Sequence, residues 1–169
     1  MIAVKSILDK KGWGAWTISP DAKVIDALRI MAEKNVGALV VIEKDNIVGI
    51  ISERDYARKI ILKGLQSNDI PVRDIMTAQV YHVYSDTTAE QCMALITEKH
   101  IRHLPVRNQG KLAGIISIGD IVKAITTDQK ITIENLEDFI VDKNQKFNQQ
   151  CCWMEFINSG STHDCELES

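Results

Sequence analysis

The sequence lacks the patterns that mark membrane and secreted proteins. No apolar run approaches the roughly 18 residues that a transmembrane helix needs. The first residues, MIAVKSILDKKGWG, contain several charges and no apolar stretch of the kind found in signal peptides. We therefore expect a soluble cytoplasmic protein with no membrane partner.

Cysteine is scarce, and its spacing fits neither a disulfide framework nor a zinc site. The chain has 4 cysteines among 169 residues and no C-x-x-C pair. Cys92 falls in an apolar helical pattern and is predicted to be a small core residue. Cys151, Cys152 and Cys165 lie near His163 in a polar tail, in a spacing that matches no common metal or protease pattern. We predict no metal.

Several motifs of catalysis and nucleic-acid binding are also missing. The chain has neither the G-x-G-x-x-G dinucleotide pattern nor the G-x-x-x-x-G-K-[ST] phosphate loop. No Ser–His–Asp or Cys–His set is evident, so we predict that the protein is not an enzyme. The net charge of −3 argues against a general nucleic-acid surface, although a local basic pocket remains open.

An internal repeat organises the sequence. Residues 21–60 align with residues 86–125 without a gap, and the phrase GIISERD at 49–55 returns as GIISIGD at 114–120. Most other paired positions are apolar in both copies. Such self-similarity indicates two copies of one structural unit.

Each copy predicts the element order β-α-β-β-α. A short strand precedes a helix that is predicted to begin after Ser19 as its N-cap, with Pro20 and Asp21 in the first turn, and to run through residue 34. Two apolar strands follow, joined by a turn at 43–46 or 108–110, and a last helix begins at the repeated serine. We predict an α+β fold in which two βαββα repeats pack sheet to sheet with pseudo-twofold symmetry.

The repeats define the predicted domains. The first spans 1–65, the second spans 66–127, and 128–169 form a tail. The segment at 4–8 is the counterpart of 74–76, a short helix before each repeat. In the tail, ITIENLEDFIV at 131–141 predicts an amphipathic helix capped by Thr132, with an apolar stripe of Ile133, Leu136 and Ile140.

The repeated GIIS-x-x-D phrase places a serine and an aspartate where a strand becomes a helix. The spacing is that of a capping box, in which the Ser52 hydroxyl accepts from the backbone N–H of Asp55. A purely structural cap is one interpretation. The other is a nucleotide site, because the glycine permits close approach, the helix start attracts phosphate, and the aspartate can accept from ribose hydroxyls.

These stretches resemble the cystathionine-β-synthase (CBS) domain, which occurs in tandem pairs. The resemblance covers about residues 1–127 and rests on ISPDAKVIDALRIMAEKNVGALVV, GIISERDYARKI, VRDIMT, QCMALITEKHIRHLPV and GIISIGDIVKAI. It is closest to stand-alone pairs with no attached enzyme. The resemblance implies binding of an adenine nucleotide (AMP, ADP, ATP or NAD(H)) or S-adenosylmethionine between the repeats, and assembly into a homodimer.

The resemblance also implies two ligand pockets, which we call site A and site B. In site A, Asp120 would hold the ribose, Ser117 would lie near ribose and phosphate, and Arg102 and His103 would bind phosphate. The other predicted residues of site A are Ile115, Trp16, Thr17, Val36, Gly37 and Ala38. Those of site B are Ile50, Ser52, Arg54, Asp55, Tyr81, His82 and Ile101.

The two sites are predicted to differ, because Arg102 and His103 are matched by Gly37 and Ala38 in the first copy. Site B has instead the basic residues of its own helix, Arg54, Arg58 and Lys59. We therefore expect site A to bind more strongly. Each of these residues also has a structural interpretation: a surface charge for Arg102, a core histidine for His103, core or dimer interface for Trp16, and a solvated helix face for the three basic residues.

The predicted function is that of an adenine-nucleotide sensor that passes ligand state to a regulated protein through conformation or dimerisation. The alternative is a dimeric scaffold with empty sites. Binding to nucleic acid is disfavoured by the acidic balance.

Overall fold

The computed structural model describes residues 1–65 and 69–133. Its contacts divide the chain into a unit at 1–125 and a second at 126–169. The first unit contains both repeats. The helices are α1 (Val4–Lys11), α2 (Val24–Lys34), α3 (Glu53–Lys59), α4 (Val72–Ile75), α5 (Ala89–Lys99) and α6, which begins at residue 118, with a 3₁₀ turn at Ile61–Lys63. The strands are β1 (Thr17–Ile18), β2 (Ala38–Glu43), β3 (Asn46–Ser52), β4 (Val83–Tyr84), β5 (His103–Asn108) and β6 (Lys111–Ser117).

The predicted βαββα order is confirmed in both repeats. Each repeat forms a three-stranded sheet, β1-β2-β3 or β4-β5-β6, with a parallel first pair and an antiparallel second pair. The predicted hairpin turns have positive φ at both central residues, Lys44 and Asp45 in one copy and Gln109 and Gly110 in the other. Positive φ at both positions is the requirement of a type I′ turn, whose twist suits a hairpin.

The predicted start of α2 is wrong. The helix begins at Val24, its N-cap is Lys23, and no side chain caps it. Ser19 instead forms a turn, since its hydroxyl accepts from the N–H of Asp21 over 3.3 Å and its carbonyl accepts from that of Ala22 over 3.2 Å. The Ser-Pro-Asp pattern therefore stabilises a turn before the helix, as the local hydrogen bonds of serine often do.

Each sheet has its own core. Each core also contains the short helix that precedes the other repeat in the sequence. Val4, Ile7 and Leu8 of α1 are buried in the core of the second repeat. Val72 and Ile75 of α4 are buried in the core of the first repeat. The short helices are thus exchanged between the repeats, and neither repeat buries its core without residues from beyond its own βαββα unit.

The glycines of the repeated phrase serve this exchange. A Cβ at Gly114 would lie 3.0 Å and 3.1 Å from the methyl groups of Leu8, and one at Gly49 would lie 2.5 Å from the sulfur of Met76. The interpretation that these glycines admit a ligand to the backbone is therefore wrong. Gly114 admits Leu8, which lies within α1, and Gly49 admits Met76, which directly follows α4.

Helix α5 begins with a capping box that the sequence reasoning missed. The Thr88 hydroxyl accepts from the Gln91 N–H over 3.3 Å, and the Gln91 side chain accepts from the Thr88 N–H over 3.0 Å. Further along α5, Cys92 is fully buried in the second core, as predicted, and burial raises the pKa of its thiol to about 11. Within the described ranges, no helix has the length and apolar content to cross a bilayer.

In the second unit, residues 126–133 are helical. The Thr132 hydroxyl donates to the carbonyl of Asp128 over 2.9 Å. Thr132 therefore lies within a helix, and the prediction that it caps one is wrong. Ile133 is 55% exposed, while Leu136 and Ile140 of the predicted stripe lie outside the described residues.

Candidate functional site

Two capping boxes stand at equivalent places, where β3 and β6 end. The Ser52 hydroxyl accepts from the Asp55 N–H over 3.2 Å, and the Asp55 carboxylate accepts from the Ser52 N–H over 3.1 Å. The corresponding distances for Ser117 and Asp120 are 3.3 Å and 2.7 Å. The predicted structural cap is confirmed in both copies. It fixes the position of each carboxylate, because both its backbone and its hydroxyl partners are held by the strand end.

A cavity of about 600 Å³ opens beside the second box and is lined by both repeats. This volume lies within the roughly 300–1,000 Å³ of most small-molecule sites. The lining residues are Lys11, Gly12, Trp13, Gly14, Ala15, Trp16, Asn35, Val36, Gly37, Ala38, His103, Ile115, Ser117 and Asp120.

The cavity brings together most residues predicted for site A, from four separate parts of the chain. Trp16 lies on one side with the turn between α2 and β2, and Asp120, Ser117 and Ile115 come from the second repeat. His103 opens β5 and is paired with Ser117 across the sheet. Two predicted residues are not among those that line the cavity: Thr17, which is exposed on β1, and Arg102, which is exposed before β5.

The sequence reasoning missed the segment between α1 and β1, which lines the cavity with Lys11, Trp13 and two glycines. Helix α1 has 8 residues and α4 has 4. The equivalent positions Leu8 and Met76 are 68 residues apart, whereas Ile18 and Val83 are 65 apart, so the first copy holds three additional residues here. This added length was a signal in the sequence, but it falls before the gapless alignment begins.

Asp120 receives three hydrogen bonds on one oxygen. The Ser117 N–H and hydroxyl each donate to Oδ2 over 2.7 Å, and the Lys11 ammonium donates to the same atom over 2.7 Å. Burial raises the pKa of the Asp120 carboxyl, but the hydrogen bonds from Lys11 and Ser117 outweigh burial and hold the pKa below its ordinary value. Asp120 is therefore an anion at neutral pH, suited to accept from ligand hydroxyls.

His103 is a neutral imidazole in the cavity. Burial lowers its pKa, the charges of Lys11 and Arg102 act in the same direction, and the carboxylates of Asp120 and Asp55 act against it with smaller effect. A neutral imidazole can donate from one ring nitrogen and accept at the other. His103 can thus hydrogen-bond to a ligand while the imidazole itself carries no charge.

Acid should destabilise the protein through His103. The unfolded chain takes up a proton near the ordinary histidine pKa of about 6.5, whereas the folded imidazole resists protonation to lower pH. His103 therefore leaves the free energy of unfolding unchanged above about pH 6.5 and lowers it as the pH falls below that value. We expect His103→Gln to lose less stability than the wild type between pH 7.5 and 5.5, by urea unfolding, with pH 8.5 as baseline. An equal loss in both proteins would contradict this assignment.

Site B has the same box but different surroundings. Asp55 Oδ2 accepts from Ser52, while Oδ1 accepts from the Lys59 ammonium over 2.8 Å and from the Thr77 hydroxyl over 3.4 Å. Lys59 also donates to the carbonyl of Ile75 over 2.6 Å. Both oxygens of Asp55 are therefore engaged within the protein, whereas the three donors of Asp120 share one oxygen.

The other residues predicted for site B come from both repeats: Tyr81, His82 and Ile101 from the second, and Ile50 and Arg54 from the first. The Tyr81 ring lies 5.6 Å beneath the Lys99 ammonium, as the Trp16 ring lies 4.8 Å beneath that of Lys34. His82 packs edge-on against the ring of Tyr84. Ile50 is bridged to Thr77, Ile101 is half-buried, and Arg54 is exposed. Arg54 thus lies on the exposed surface of α3, in agreement with its interpretation as part of a solvated helix face.

No cluster of three metal-ligating side chains occurs among residues 1–65 and 69–133. The tail cysteines and His163 lie outside those ranges.

The CBS domain family model matches residues 6–62 and again residues 72–127. The mitochondrial CBS domain-containing protein CBSX3 of Arabidopsis thaliana is 37% identical over 146 residues, which are 81% of this chain and 71% of that protein.

Solved structures agree with this match. A CBS-domain protein from Burkholderia ambifaria is 46% identical and superposes with a TM-score of 0.72, covering 75% of this chain and 96% of that one. The structure of CBSX2 in complex with AMP is 26% identical, with a TM-score of 0.61, and covers 75% of this chain and 98% of that one.

Proposed function

Because the chain belongs to the CBS-domain family as a tandem pair, we propose that it is a regulatory module that binds an adenine nucleotide in site A. The observation that carries the proposal is the carboxylate of Asp120, held by a capping box at the wall of a cavity that both repeats line. The AMP complex of CBSX2, a protein of the same fold, supports adenine nucleotides as the ligand class.

The cavity offers a partner for each part of a nucleotide. Asp120 accepts from the ribose hydroxyls, and the half-exposed Trp16 ring stacks on the base. Val36, Gly37 and Ala38 lie against the base edge. His103 donates to the phosphate, and Arg102, outside the cavity lining, contributes charge at longer range.

Site B is proposed to bind more weakly or to stay empty. A ribose at Asp55 has to compete with Lys59 and Thr77 on one oxygen and with Ser52 on the other. At Asp120, competition is confined to Oδ2. The predicted preference for site A thus gains a second reason beyond the absence of Arg102 and His103 counterparts in the first repeat.

The regulatory output is proposed to be a change in conformation or in homodimerisation that a partner protein detects. The module binds its ligand and does not transform it. The compartment remains a prediction from the sequence, which favours the cytoplasm.

The nucleotide itself is tested by thermal unfolding with AMP, ATP and NADH. A ligand that binds only the folded state stabilises it by about 2.7 kcal/mol when present at 100 times its Kd. We expect at least one of the three to raise the melting temperature in a concentration-dependent way. No shift with any of them, together with a dimer in solution, would favour a scaffold with empty sites.

A further inference from the structure

Lys11 occupies the place that the proposed function gives to a ribose. Its ammonium lies 2.7 Å from Oδ2 of Asp120 and 3.1 Å from the carbonyl oxygen of Ile115, both of which line the cavity. The side chains of Lys11 and Asp120 are 40% and 23% exposed. The pair is thus within reach of solvent and of a ligand that enters the cavity.

Of the three donors on Oδ2, Lys11 is the one a ligand can replace. A carboxylate has about four lone-pair sites, two on each oxygen, so Oδ2 has no capacity left for a ribose hydroxyl. A ribose that donates one hydroxyl to each oxygen of Asp120 therefore needs one of the three donors to leave. The two bonds from Ser117 belong to the cap of α6, and breaking them would expose the start of that helix. The bond from Lys11 is made by a long, partly exposed side chain and supports no cap.

The chain next to Lys11 tolerates a change of conformation. Lys11 is the last residue of α1, and Gly12 and Gly14 follow with φ of 109° and 103°. A Cβ at either glycine would meet no heavy atom within 4 Å. Gly14 is held by its N–H, which donates to the carbonyl of Ala113 over 2.8 Å. The segment is therefore anchored at Gly14, and Gly12, whose N–H donates to the Leu8 carbonyl over 2.7 Å, has open space beside its Cα.

Resting on the proposed function, we propose that Lys11 is a displaceable occupant of site A, which leaves Asp120 when a ribose binds and then pairs with the phosphate of the ligand. A nucleoside whose two ribose hydroxyls bind both oxygens of Asp120 breaks the Lys11–Asp120 pair and gives the ammonium no new partner. A nucleotide breaks the same pair and supplies an anion in its place. Lys11 thus makes site A selective for phosphorylated ligands. Site B has no counterpart of the segment that carries Lys11, and its carboxylate is paired instead with Lys59 of α3.

The test compares adenosine and AMP by calorimetry on Lys11→Met, which keeps the length of the side chain and removes its charge. The control is Lys10→Met, the same change in net charge at the exposed neighbouring position. We expect Lys11→Met to bind adenosine more tightly than the wild type and AMP more weakly. The ratio of the two affinities should fall about tenfold or more, the value of one charge-assisted hydrogen bond. Lys10→Met should keep the wild-type ratio.

The outcomes separate the inference from the proposed function. If the wild type binds AMP and Lys11→Met shows an unchanged ratio, Lys11 is not a displaceable occupant, and the proposed function stands. The same conclusion follows if both ligands weaken equally. If the wild type binds none of adenosine, AMP, ATP and NADH, the proposed function fails and the inference with it. Lys11→Gln, which can still donate a neutral hydrogen bond, should give an intermediate ratio.

Discussion

Asp120→Ala is expected to weaken AMP binding by about 10- to 150-fold, because hydrogen bonds to a charged group contribute about 1.5–3 kcal/mol. The ribose would lose its anionic acceptor, and Lys11 would lose the partner that holds it in place. The measurement is calorimetric titration of AMP into the wild type and the variant at one salt concentration.

Asp55→Ala is the matched control, since it removes the same member of an equivalent capping box. Both variants should lose about 1 kcal/mol of folding stability through the lost cap. Only Asp120→Ala should lose the high-affinity site. Unchanged affinity in Asp120→Ala, or the same loss in Asp55→Ala, would contradict the assignment of the ligand to site A.

Leu8→Ala is expected to destabilise the protein by about 2–5 kcal/mol, the usual effect of truncating a buried leucine. Leu8 is fully buried, and its methyl groups lie against the position that a Cβ of Gly114 would take. Gly114→Ala should therefore cost about 1–3 kcal/mol through overpacking in the wild type. In the Leu8→Ala background that cost should largely vanish, because the space is then available.

Urea unfolding of the single and double variants measures this coupling. Gly49→Ala is the control, because its Cβ would meet Met76 and not Leu8. Its effect should be the same with and without Leu8→Ala. Additive effects of Leu8→Ala and Gly114→Ala would show that α1 does not pack in the second core. They would contradict the exchange of helices between the repeats.

The repeat made most of the fold predictable. The gapless alignment transfers α2, β2, β3 and α3 from the first copy to the second, and the short apolar runs of both copies identify the central strands. The capping boxes followed from the spacing of Ser52 and Asp55, because that motif is local. The local sequence was misleading at Ser19. The serine hydroxyl stabilises a turn there, and the helix begins later, with Lys23 as its N-cap.

Two features depend on tertiary structure and could not be predicted in this way. The exchange of α1 and α4 between the cores is a long-range contact, and the apolar residues of a helix of 8 or 4 residues do not say which sheet they join. Lys11 reaches Asp120 across 109 positions of the chain, from a segment that has no counterpart in the second copy. The cavity residues within the repeats were predictable, and those from the added segment were not.

The central claim is that site A holds an adenine nucleotide through Asp120. Determining a crystal structure of the protein grown with saturating AMP tests it most directly. We expect AMP in the cavity, with its ribose hydroxyls bound to the Asp120 carboxylate and its base against Trp16. We also expect the Lys11 ammonium to have moved from Asp120 to the phosphate. A cavity that stays empty at saturating AMP, or AMP bound only at Asp55, would contradict it.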